Sequence, residues 1–207
     1  MKRLAVLGAG GHGHVVADTA LAAGWNAVAL FDDQWPRIAP AGPWPVEGDV
    51  GHLIRRLPDF DGVIVAIGHC ASRWALHEQL RAAGARFATV VHPGAQVSPH
   101  ALVGAGSVLM AGTVLQFGAR IGDGVIVNTG ATVDHDCIIE DGVHLCPGTH
   151  LGGRVHVGRL CWVGIGSSIR QGIRIGVSVT IGAGAAVVDD LPDGVTAVGV
   201  PARPLAR

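Results

Sequence analysis

The stretch IGDGVIVNTGATVDHDCIIEDGVHLCPGTHL, Ile121–Leu151, has Ile, Leu or Val at every sixth residue: Ile121, Val127, Val133, Ile139, Leu145 and Leu151. The same phase runs back through Leu115, Leu109, Val103 and Val97 to Val91. It runs forward through Val157, Val163, Ile169, Ile175 and Ile181 to Val187. A period of six fits neither a helical face, which recurs at about 3.6, nor a half-buried strand, which alternates. It marks a solenoid of stacked repeats, none of which can bury its apolar side alone.

Within each hexad, numbered from its aliphatic residue i, position i faces inward. Position i+4 also faces inward and is small, as at Ala95, Ala101, Ser107, Thr113, Ala119 and Ala131; Ile173 and Leu191 are the larger exceptions. Cys137 and Cys161 fall in this slot and read as packing residues. Position i+3 is Gly in 11 of the 17 hexads, as expected where the chain turns with positive φ. Three hexads make one triangular coil of 18 residues, so residues 18 apart stack in columns. Outward position i+2 then gives a column of Phe117, His135, Gly153 and Gln171. A second column, Pro147, Ile165 and Ala183, is apolar and narrow, and a third holds Ala105, Asp123, Asp141 and Arg159.

Between Gly106 and Gly148 the i+3 slot is Gly except at Asp136, beside the corner residue His135. Asp tolerates a left-handed turn at some cost, and a broken local rule beside an outward His is expected at a functional site. His135 suits a general base. Asp136 is placed to hold one ring tautomer and raise its basicity, and Gly148 has a backbone N–H to offer an oxyanion. His144 lies half a coil from His135, so the two meet only across a threefold interface. His144, His150 and His156 share position i+5 on three successive faces. One chain points them apart, so no metal site is expected.

The 207 residues include 32 Gly and no Tyr, which suits tight turns and small inward side chains. A net charge of −1 with scattered Lys and Arg argues against nucleic-acid or membrane-surface binding. No apolar run approaches the roughly 18 residues of a membrane span, and Met1–Gly13 does not read as a signal peptide. Cys70, Cys137, Cys146 and Cys161 show no CxxC pattern. The expectation is a cytoplasmic protein with reduced thiols.

Residues 1–88 alternate strand and helix signals, implying a small parallel α/β domain before the solenoid at 89–207. Strands are expected at Arg3–Leu7, Ala27–Phe31, Val63–Ile67 and Phe87–Val91. Helices are expected after Gly13, over Gly51–Leu57 and over Ser72–Ala83. Gly8, Gly10 and Gly13 fit G-x-G-x-x-G between a strand and a helix, which lets a phosphate approach the backbone at a helix N-terminus. Asp32 lies 19 residues beyond Gly13, where an acid meets a ribose. A nicotinamide dehydrogenase is disfavoured, because the solenoid offers no hydride-transfer domain. Pro36, Pro40, Pro43 and Pro45 mark Gln34–Pro45 as a loop. Trp25, Trp35 and Trp44 in or near it are expected to pack the loop down rather than stack on a ligand.

Taken together, these motifs resemble one family. They are Gly8-Ala9-Gly10-Gly11-His12-Gly13-His14-Val15-Val16-Ala17-Asp18, Phe31-Asp32-Asp33, Val65-Ala66-Ile67-Gly68 and Val91-His92-Pro93. Asn128-Thr129-Gly130-Ala131-Thr132-Val133-Asp134-His135-Asp136-Cys137 and Gly199-Val200-Pro201-Ala202-Arg203 complete the set. The chain is similar to the bacterial nucleotide-sugar N-acetyltransferases grouped with sialic-acid O-acetyltransferase. The fold class implied is α/β plus all-β, a Rossmann-like domain followed by a left-handed parallel β-helix.

The resemblance also implies a homotrimer with active sites between neighbouring β-helices, acetyl-CoA as co-substrate and no metal. His135 would be the base, assisted by Asp136. Acetyl-CoA would contact His144, Ile165 and Ala183. A nucleotide-linked amino sugar would contact Gly11, His12, Gly13, Asp32, Asp33 and Gly68, with Arg73 near the phosphates. His69 stands where some relatives have Asn, which bears on the choice of sugar or base. The expected reaction is acetylation of the C4 amine of an amino-dideoxy sugar in glycan biosynthesis. The rivals are an O-acetyltransferase on sialic acid, a β-helix metal hydratase and a non-catalytic sugar-nucleotide sensor.

Overall fold

A computed structural model describes residues 1–38 and 42–205; Pro40 of the expected loop lies outside them. Strands β1 (Arg3–Leu7), β2 (Ala27–Phe31) and β3 (Gly62–Val65) form a parallel sheet in the order β2-β1-β3. Helices α1 (Gly11–Ala22), α2 (Val50–Arg55) and α3 (Cys70–Ala82) connect and cover it. Asp49 caps α2 by accepting the His52 N–H at 2.8 Å, which satisfies one otherwise orphaned donor.

The sheet's alternation divides its side chains between two cores. Ala5, Leu7, Phe31, Val63 and Val65 pack with Leu53, Phe60 and Leu80. Leu4, Val6, Leu30 and Ile64 pack with Val16, Ala17 and Ala20 of α1, and this cluster continues into Val90, Val108, Met110 and Ile126. Those last four belong to the solenoid, so α1 is shared between the sheet and the first coils. Trp25 and Trp44 pack against this core. Trp35 rests edge-on against His52, with ring centroids 4.8 Å apart.

Val90–Val91 corrects one expected element. Phe87 forms only an isolated bridge to Val63, and Ala88 N–H donates to Val63 O. Val90–Val91 instead pairs with Val108–Leu109 as the first solenoid rung. The hexad phase begins at Val91, so this segment's backbone partners lie 18 residues ahead.

From there the chain forms a left-handed parallel β-helix of about six turns. Each rung is two residues long, and pairing is parallel at a step of 18: Val108, Ile126, His144, Trp162 and Thr180 stack on one face. The inward residues, such as Leu109, Val127, Leu145, Val163 and Ile181, are wholly buried, together with small i+4 residues such as Ala119, Ala131 and Cys137; in the first coil Ala95 and Ala101 are only partly buried. Burying each Leu, Ile or Val contributes about 1.5–3 kcal/mol.

The turns take positive φ as expected, for example 71° at Gly112 and 66° at Gly148. Asp136 (57°) has company further along: Arg154 (59°), Leu160 (60°) and Ser178 (56°) also occupy the left-handed region. Strain at this slot therefore does not single out Asp136 over the whole ladder. Thr196–Val198 continues one face, and Arg203–Pro204 pairs back antiparallel to cover its edge.

Candidate active site

His135 and Asp136 form the corner between rungs Thr132–Val133 and Ile138–Ile139. Asp134 Oδ1 accepts the His135 backbone N–H at 2.7 Å, which holds the turn. His135 Nδ1 lies 2.9 Å from Asp136 Oδ2, and both side chains are half exposed. The carboxylate can only accept, so in the neutral ring the proton sits on Nδ1 and Nε2 keeps its lone pair.

Two glycines make room for this pair. A Cβ at Gly153 would collide with His135 Nε2, and one at Gly118 would come within 2.6 Å of Asp136 Oδ1. Gly118 needs positive φ for its turn anyway, but Gly153 does not. Its signal in the sequence is a glycine at a corner that requires none, in the column of the catalytic candidate.

A cleft of about 460 Å³ opens at the C-terminal ends of β1 and β3. It is lined by Gly11, His12, Asp32, Asp33 and Gly68, together with Gly8, Gly10 and Leu76. The N-terminus of α1 faces it without a side-chain cap, so free backbone N–H groups are available to an anion. Asp32 Oδ2 accepts the Ala9 N–H at 2.9 Å and its Oδ1 the Gln34 N–H at 3.0 Å, which braces the glycine loop. Asp33 Oδ1 accepts the Val50 N–H. Gly13 stands apart from the lining. A Cβ there would strike Gly8 O, so its task is close packing of α1 on the β1 loop.

Arg73 is placed differently from the expectation. It is 1% exposed and donates to the carbonyls of Ile67, Gly68, Gly124, Gly142 and Val143. All five guanidinium N–H groups are consumed, so none is left for a phosphate.

His144 is 5% exposed, beneath the cleft floor. Its ring lies 4.4 Å from Trp162 and 6.1 Å from His12. Burial, with Arg73 nearby, pushes His144 down to about 3 and His12 down to about 4. Ile165, which is 60% exposed, and Ala183 stack at an open corner, where Gly184 N–H donates to Ile165 O. His144 is on the face before that corner rather than on it.

Burial pushes the Cys146 and Cys161 thiols up to about 12 and also raises Cys137, so none of these is a poised nucleophile. His150 meets Thr132 Oγ1 at 2.9 Å and His156 meets Glu140 at 2.7 Å, so the three expected-apart histidines have separate partners. A hollow of about 550 Å³ beside His156, Arg174, Asp190 and Asp193 lies away from both His135 and the cleft. Its carboxylates already serve His156, Arg174 N–H and Val177 N–H.

The rung face carrying Val108, Ile126, His144 and Trp162 meets the α/β domain, whereas His135 occupies the corner between the other two faces. One chain therefore keeps its basic pair and its cleft on different sides.

The family described as the PglD N-terminal domain matches residues 3–80. The acetyltransferase domain of PglB from Neisseria gonorrhoeae, solved with acetyl coenzyme A, is 43% identical, with a TM-score of 0.94 over 99% of each chain. PerB from Caulobacter crescentus, solved with CoA and GDP-perosamine, is 36% identical, with a TM-score of 0.94 over 100% of this chain and 98% of that one. WeeI from Acinetobacter baumannii is 27% identical, with a TM-score of 0.85 over 99% of this chain and all of that one. Among curated proteins, one from Schizosaccharomyces pombe is 44% identical over 46 residues, only 22% of that protein's length. With this fold and this likeness over its full length, the chain belongs to the hexapeptide-repeat sugar acetyltransferase family.

Proposed function

We propose that this protein moves the acetyl group of acetyl-CoA to the C4 amine of a nucleotide-linked amino-dideoxy sugar. The observation that carries the mechanism is the His135–Asp136 pair at an open corner, 2.9 Å apart. His135 Nε2 takes the proton as the amine attacks the thioester carbonyl. Asp136 stabilises the imidazolium that forms. Backbone N–H groups hold the tetrahedral oxyanion until the thiolate of coenzyme A leaves; Gly148, expected for this from the sequence, is not one of them, because its N–H donates to Thr129 O at 2.9 Å. The high thiol values at Cys137, Cys146 and Cys161 favour direct transfer without an acyl-enzyme.

The cleft at Gly11, His12, Asp32, Asp33 and Gly68 receives the sugar nucleotide in this reading, with its phosphates at the start of α1. Exposed Ile165 and Ala183 offer an apolar track for the pantetheine arm. Separation of base and cleft within one chain favours a homotrimer that assembles each site from neighbours. The two relatives solved with acetyl-CoA or with CoA and GDP-perosamine support both substrates. Four free, buried cysteines fit a cytoplasmic location.

Thiol release from acetyl-CoA against UDP-, GDP- and dTDP-linked amino sugars tests the reading. Turnover with at least one amino sugar, lost in His135→Ala, is the expected result. Turnover with free sialic acid alone would replace it with O-acetylation. Full activity in His135→Ala would remove the mechanism.

A further inference from the structure

We propose that Arg73 is a positioning residue for acetyl transfer. It ties the floor of the glycine-rich cleft to the β-helix and fixes His144 as one ring tautomer. The kinetic part of this inference rests on the function proposed above; the tautomer part does not.

Arg73 projects from α3 into the seam between the two halves of the chain. Nη1 donates at 2.8 Å to Ile67 O and Gly68 O, in the loop that lines the cleft. Nε donates to Gly124 O at 2.8 Å, and Nη2 to Gly142 O at 2.7 Å and Val143 O at 3.2 Å, all in the β-helix. Gly124 and Gly142 are turn residues of successive coils. A single cation thus clasps two coils and one cleft loop through charge-assisted bonds, which are stronger than neutral ones. A lysine has three donors on one atom and cannot reproduce this planar fork.

Gly68 O passes the constraint to His144. It lies 3.2 Å from His144 Nδ1, and a carbonyl only accepts, so Nδ1 bears the proton. Asn128 settles the other nitrogen. Thr129 N–H points at Asn128 Oδ1 at 2.8 Å, so the remaining amide atom, 3.2 Å from His144 Nε2, is the NH2 donor. Nε2 is therefore an unprotonated acceptor.

The charged and titratable groups facing this ring are Arg73 from α3 and His12 from α1; the thiols of Cys70 and Cys146 lie beside Arg73. With burial and the guanidinium holding it down to about 3, His144 stays neutral wherever the substrate amine is reactive. Both ring nitrogens are committed, so His144 exchanges no proton with substrate. It is a strut between Gly68 and Trp162, and proton removal falls to His135 alone.

Histidine-selective 15N NMR of the full chain, without substrate, reads the tautomer directly. The expected His144 spectrum is the neutral Nδ1–H form, unchanged between about pH 8 and pH 5. An Nε2–H form, or titration in that range, would overturn the assignment whether or not the enzyme turns over.

The clasp is read in Arg73→Lys, by KM and by calorimetric affinity for the amino-sugar nucleotide that the wild type accepts. Affinity is expected to weaken about tenfold or more, with KM for acetyl-CoA unchanged within about twofold. Unchanged sugar-nucleotide affinity in folded Arg73→Lys would overturn the clasp. If that variant does not fold, Asn128→Ala, which spares all five Arg73 bonds, decides the question. With Gly68 O still held by Arg73, its His144 ring is expected to keep the Nδ1–H form, and mixed tautomers there would overturn the role given to Arg73. Wild-type binding without turnover would count against acetyl transfer and leave the clasp testable by affinity.

Discussion

The ring of His135 occupies the space that a side chain at residue 153, one coil further on, would need: a Cβ on Gly153 would overlap His135 Nε2. The basic pair is thus seated by the rung beneath it as well as by its own turn.

Gly153→Ala is expected to keep the fold, because the φ of Gly153 lies outside the left-handed region. The added methyl displaces the His135 ring, and kcat is expected to fall at least about tenfold, since small misplacements of a base are costly. Steady-state kinetics beside a thermal melt checks this. An unchanged kcat would show that the ring works from another position.

Removing the pair separates its two roles. His135→Ala is expected to lower kcat by about 10²–10⁴, the usual range for a general base. Asp136→Ala should cost less, because it removes the tautomer partner and leaves the base. Acetyl-CoA affinity, measured by calorimetry, should stay the same in both variants.

Ile165→Glu places a charge in the exposed apolar corner column. KM for acetyl-CoA is expected to rise about tenfold, while KM for the nucleotide sugar holds. Equal rises in both constants would argue against the pantetheine track.

Acid should weaken the fold through His12 and His144. Both folded values, about 4 and about 3, lie below the ordinary histidine value of about 6.5, so the unfolded chain binds more protons between those limits. Stability is complete above about pH 6.5 and falls as pH drops toward the folded values, by up to about 1.4 kcal/mol per pH unit for each ring. Urea midpoints at pH 7 and pH 5 check the sign. His144→Asn should flatten the slope.

Leu145→Ala, at a wholly buried inward position, is expected to cost about 2–5 kcal/mol by leaving a cavity that the stacked rungs cannot close. Chemical denaturation measures it.

The hexad ladder from Val91 to Val187 by itself determined the β-helix, its 18-residue register and the outward corner of His135. Each rung interacts with its neighbours at a constant step, so a one-dimensional pattern contains the packing. The glycine loop at Gly8–Gly13 and the acids Asp32 and Asp33 were legible for the same reason, since strand, turn and helix follow directly in the chain. Contacts between the two halves obey no such period, and only the tertiary structure decided them. Arg73, expected at a phosphate, is 1% exposed and spends its five donors on backbone carbonyls up to 70 residues away. His144, expected at a coenzyme, is sealed under Gly68 against Trp162. The physical reason is desolvation. Whether a charged or polar side chain faces ligand or seam depends on which surface covers it, and that surface comes from the other half of the chain.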